Sequence, residues 1–123
     1  MAITLNTPLR NARATDIVTE AGATAKLSVY TASYATLLYT STCAATLGTV
    51  SGGVLTFNAV RNATAGAAGA AAIARLFKTD GTTMVIEGLT VGTSGTNIVI
   101  TNTTIAVSDT VTTSSATITE GNP

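Results

Sequence analysis

The side chains able to carry chemistry in this sequence are few and far apart. Its carboxylates are Asp16, Glu20, Asp80, Glu87, Asp109 and Glu120, its one thiol is Cys43, and it has no histidine. Without histidine the usual general base, proton shuttle and zinc ligand are missing together. The closest carboxylates in sequence, Asp16 and Glu20, stand one helical turn apart, the spacing of a solvated helix face. No alternating run of acids closed by a Glu marks a calcium loop. The glycines of GAAGAAA and TVGTSGT lack the Lys-Ser/Thr, or the strand-to-helix context, of a phosphate loop. The expectation is a protein that is not an enzyme, with no catalytic residue, metal or cofactor.

Cys43 lies in TSTCAATLG, which offers no basic neighbourhood, so a buried thiol acting as a small apolar side chain is expected. A single cysteine also rules out an internal disulfide. A sugar-stacking platform would have to come from Tyr30, Tyr34 and Tyr39, since Trp is absent; core or strand-face positions are the simpler expectation. The patterns Asn62-Ala63-Thr64 and Asn102-Thr103-Thr104 fit a glycosylation acceptor, but Thr fills roughly a fifth of this chain and makes them chance matches.

Six basic and six acidic residues cancel, and charged residues make up 10% of the chain against 46% hydrophobic, so the surface must be largely Thr, Ser, Asn and Ala. No basic stripe exists for phosphates, so no nucleic-acid partner is expected. Neither a leader with a basic start and apolar core nor an apolar run of about 18 residues is visible, so no membrane partner is expected either. Net charge near zero protects poorly against self-association and points to a subunit of an assembly.

The 123 residues read as one domain, with an extended arm over residues 1–6, a helix over 7–22 and strands over 26–120. Thr7 as N-cap, Pro8 at the first helical position and Gly22 as the stop frame the helix, whose Ala14, Ile17, Val18 and Ala21 share a face. The period then becomes two: in KLSVYT, Leu27, Val29 and Thr31 oppose Lys26, Ser28 and Tyr30. Further strands are expected over Tyr34 to Cys43 and, after the turn Ser51-Gly52-Gly53, over Val54 to Val60. The Ala/Gly run from Ala63 to Ala72 develops no apolar stripe, and Gly66 and Gly69 would each cost a helix about 1 kcal/mol. It is expected to be a flexible or closely packed segment leading into a strand over Ala72 to Thr79.

Asp80-Gly81 then makes a hairpin turn. Pairing Thr79 with Thr82 sets Phe77 opposite Met84, Leu76 opposite Val85, Arg75 opposite Ile86 and Ala74 opposite Glu87. Both faces of that hairpin carry apolar residues, so the second needs cover from another sheet, the helix or another subunit. The loop Gly92 to Gly95 leads to strands over Asn97 to Asn102, Thr104 to Val107 and, after the turn Ser108-Asp109, Thr110 to Glu120. Roughly eight short strands predict a mainly β fold, an antiparallel β-sandwich of jelly-roll-like form with one short N-terminal helix.

LNTPLRNARATDIVTEAGATAKLSVYT, SGGVLTFNAV and ARLFKTDGTTMVIEGLTVGTSGTNIVITNTTIAVSDTVTTSSATIT together resemble small structural proteins of tailed-bacteriophage and prophage virions, over nearly the whole chain. The resemblance implies a β-rich virion protein of the capsid decoration, or cement, type. It would be made in the bacterial host cytoplasm, sit on the capsid surface, bind the phage major capsid protein and form a homo-oligomer, a dimer or trimer. Such proteins have a more mixed composition before the hairpin than Ala63 to Ala72, so no contact residue carries over there. The contact surfaces expected are the arm Ala2, Ile3, Thr4 and Leu5 and the face bearing Leu76 and Val85. Two other readings stand beside this one: a tail, connector or fibre-base component, and a glycan-binding module using Asn62, Asn97 and Tyr34.

Overall fold

The computed structural model describes residues 6–119, and their fold is mainly β with one helix and a large curled sheet. Helix α1 spans Thr7–Ala21. Its N-cap is Asn6 rather than Thr7: the Asn6 side chain accepts a hydrogen bond from the Leu9 amide at 2.9 Å, which satisfies a donor that the first helical turn leaves free. Gly22 closes the helix, donating its N–H to the Val18 carbonyl at 3.1 Å. Ala14 and Ala21 are buried, and Ile17 and Val18 pack beside them on the face the spacing predicts.

The strands are β1 (Lys26–Tyr30), β2 (Leu37–Thr42), β3 (Gly48–Ser51), β4 (Val54–Phe57), β5 (Ala63–Thr64), β6 (Gly69–Ala70), β7 (Ile73–Phe77), β8 (Met84–Gly92), β9 (Ile98–Ile100), β10 (Thr104–Ile105), β11 (Thr110–Val111) and β12 (Thr113–Thr119). Eight of them form one sheet in the order β2-β1-β7-β8-β9-β12-β4-β3. Its curl lets strands far apart in that order share a single core, in which Leu27 of β1 meets the same cluster as Leu55 of β4, Ile98 of β9 and Ile118 of β12. That sharing gives the sandwich character. The sheet is mixed, because β8 and β9 run parallel; every other pairing is antiparallel.

The parallel pair is unusual because parallel neighbours ordinarily need a long crossover, whereas the short loop after Gly92 suffices here. Asn97 makes this possible. Its carbonyl oxygen accepts from both the backbone amide and the hydroxyl of Thr90 at 3.0 Å, while its amide nitrogen donates to the Thr117 carbonyl at 3.2 Å. One side chain thus joins β8, the start of β9, and β12.

The Ala/Gly run is closely packed. It forms β5, paired with β11, and β6, paired with β10, and buries Ala63, Ala65 and Ala71. Several of its amides are engaged: Ala65 donates to the Asp109 carbonyl at 2.8 Å and Gly66 to the Leu38 carbonyl at 2.9 Å. A Cβ at Gly69 would lie 2.7 Å from the Thr31 methyl carbon, so the absence of a side chain there sets how closely β6 approaches the main sheet. β3 has no counterpart among the expected strands. It pairs with β4 through a turn in which Gly52 and Gly53 both have positive φ, 60° and 78°. Arg10 of the helix lies over Gly53, whose amide donates to Asn11 Oδ1 at 2.7 Å, and this contact docks α1 on the hairpin.

The β7–β8 hairpin starts in the expected register, with Phe77 opposite Met84, and then departs from it. Bulges in β8 at Val85 and at Gly88 bring Leu76 opposite Ile86, Arg75 opposite Glu87 and Ala74 opposite Leu89. The turn itself is held by Asp80, whose carboxylate accepts from the amides of Thr82 and Thr83 at 2.8 Å and from the Thr83 hydroxyl.

Candidate functional site

Among the described residues no three cysteine, aspartate or glutamate side chains gather as metal ligands, and no helix is long and apolar enough to cross a membrane. Cys43 is buried, and desolvation pushes its thiol up to about 11 although Lys26 pulls the other way. A thiol so placed is a poor nucleophile at neutral pH. A cleft of about 150 Å³ opens among Thr101, Thr104 and Thr110, but its Asn102 and Asp109 side chains accept amides of their own loop, from Thr104 and Ala106 at 2.9 Å. Those acceptors hold the turns.

A surface with distinctive chemistry is the outer face of β2-β1-β7-β8, opposite the core. The strand registers arrange it in three cross-strand rows. The first is Thr42, Lys26, Phe77 and Met84; the second is Thr40, Ser28, Arg75 and Glu87; the third is Leu37, Tyr30, Ile73 and Thr90. Met84 and Leu37 are each 48% exposed, whereas Lys26, Tyr30, Ile73 and Phe77 are half-buried. Side chains of this kind on the uncovered face of a sheet make an apolar surface with few charges.

Tyr34 is folded back over the second row. Ala32–Tyr34 is a single 3-10 turn in which Ser33 and Tyr34 adopt left-handed φ values of 59° and 58°, a costly choice for a bulky residue. Three contacts offset that cost. The Tyr34 hydroxyl accepts the Gly88 amide at 2.7 Å, its ring meets Tyr30 edge-on with centroids 5.4 Å apart, and the Arg75 guanidinium carbon stands 3.8 Å from its centroid. Arg75 also pairs with Glu87 at 3.2 Å. The result is a fixed Tyr-Arg-Glu cluster on an otherwise weakly charged face, and Tyr and Arg are two of the residue types that carry most binding energy in protein interfaces.

The structure separates the expected contact residues. Leu76 is 0% exposed, on the core side of β7, and the bulge removes its pairing with Val85. The face bearing Leu76 is therefore interior, and Leu76 is not available for docking. Val85 is half-buried, packed against the core. The arm Ala2, Ile3, Thr4 and Leu5 lies outside the described residues. Of the residues named for glycan binding, Asn97 is occupied in joining strands and Tyr34 has a ring face covered by Arg75, while Asn62 is exposed. Tyr39 is a core residue at 3% exposure, as a strand-face tyrosine can be.

Placing Tyr34 inside a strand hid the cluster from the sequence. The visible signal was Thr31, whose hydroxyl accepts the Thr36 amide at 3.0 Å and closes the turn that carries Tyr34. No family model, curated protein or solved structure matches this chain.

Proposed function

We propose that this chain is a bacteriophage virion protein of the decoration, or cement, type, which binds the outside of the assembled coat-protein shell and stabilises it. The observation that supports this reading is the outer face of β2-β1-β7-β8, half-apolar and carrying Tyr30, Tyr34, Arg75, Phe77 and Met84, with Met84 and Leu37 each 48% exposed on it. A face of that composition gains by being covered.

The mechanism is linkage. A protein that binds the assembled shell in preference to loose coat subunits stabilises the shell by RT ln(1 + [L]/Kd), about 2.7 kcal/mol per site at a hundredfold excess over Kd. Low charge helps, since few ionic groups must be desolvated at the contact. The partner is the major capsid protein, the chain acts as a homo-oligomer, a dimer or trimer, on the capsid surface, and it is made in the host cytoplasm. A density map of the native particle tests the reading. Copies in a regular lattice over the shell are expected; copies confined to the tail, its junction or the fibre base would replace this reading with a tail or connector role.

A further inference from the structure

Covering the outer face would take three charges out of water, and their balance specifies what must cover it. Arg75 has its counter-ion in Glu87 at 3.2 Å. Lys26 is different. It stands mid-row between Thr42 and Phe77, half-buried, and its ammonium donates to the Thr42 hydroxyl at 2.9 Å, with no carboxylate partner among the described residues. In water one hydroxyl and the solvent suffice for an ammonium group. Beneath a docked apolar surface they do not, because a desolvated charge without a counter-ion is strongly destabilising.

A second copy of this chain docked face to face does not supply that counter-ion. It would bring another Lys26 and another Arg75 against a carboxylate, Glu87, already held within its own chain, so the pair would carry two unmatched cations. The complementary surface is an anionic one. We infer that the coat-protein surface seated on this face presents an Asp or Glu to Lys26, flanked by apolar side chains that cover Phe77 and Met84. This inference rests on the shell-binding reading above and names the chemistry of its contact.

The test uses the full chain and shells assembled from the coat protein encoded in the same genome. Binding is measured by sedimentation for the wild type, Lys26→Arg and Lys26→Glu, each checked for an unchanged thermal melt. Lys26→Met serves as the neutral variant if charge reversal disturbs folding. The wild type and Lys26→Arg should bind alike, and Lys26→Glu should lose affinity by about tenfold or more. Carbodiimide treatment of the wild-type complex should join Lys26 to a coat-protein carboxylate, found by mass spectrometry. Failure of the wild type to bind shells at all would overturn the shell-binding reading itself. Wild-type binding that Lys26→Glu leaves intact, with no Lys26 cross-link, would overturn only this inference. A change of oligomeric mass in Lys26→Glu without loss of shell binding would also overturn it, by assigning the face to a second copy.

Discussion

At the residue scale, Tyr34 carries a conformational cost that a surface loop residue has no need to bear, and its hydroxyl, ring face and ring edge are each engaged. Tyr34→Phe keeps the ring and removes only the acceptor of the Gly88 amide, so stability should fall by about 1 kcal/mol in urea denaturation. Asp80 acts through charge: the Thr83 hydroxyl, with the Thr83 and Thr82 amides, holds its carboxyl down to about 2 from the usual 3.8. A depressed folded-state pKa stabilises above the unfolded value and fades as pH falls through the folded one. The contribution is therefore complete above about pH 4 and lost towards about pH 2. Melting temperature recorded down that range should fall less steeply for Asp80→Asn than for the wild type.

At the element scale, the joint between β8 and β9 depends on one side chain. Asn97→Ala leaves the Thr90 amide and the Thr117 carbonyl without their partner and should cost about 2 kcal/mol in chemical denaturation. Hydrogen exchange should quicken at Thr90 before it does in β1. The elements themselves were partly legible. Pro8 and Gly22 framed the helix, the alternation of Leu27 and Val29 marked β1, and Asp80-Gly81 marked its turn with the first pair, Phe77 and Met84, in place. The bulges were not legible. Gly88 has φ 82° and suits a bulge, but Val85 reads as an ordinary alternating residue, and one extra residue moves every later pair. β3 was missed because GTVS is too short for a period, and the parallel β8–β9 pair because a side-chain joint leaves no periodic trace. The alternation that puts Leu76 on one face of β7 does not say which face the core takes, and the core takes that of Leu76.

At the scale of the whole molecule, one curled sheet has to cover its own concave side, and α1, packed near β3 and β4, helps close it. The convex outer face of β2-β1-β7-β8 keeps Met84 and Leu37 open beside Lys26 and the Tyr34–Arg75–Glu87 cluster. A core gathered on one side of the sheet and apolar side chains left open on the other suit the assembly role proposed above. Composition pointed the same way through low charge, yet the rows of the outer face appear only when strand order is known, because β1 and β7 are far apart in sequence and neighbours in space. The most direct test of the account compares wild-type binding to assembled shells and to unassembled coat subunits at equal coat concentration. Binding to shells at least about tenfold tighter is predicted, together with a raised shell disruption temperature. Equal affinity for the two forms, or none for either, would contradict it.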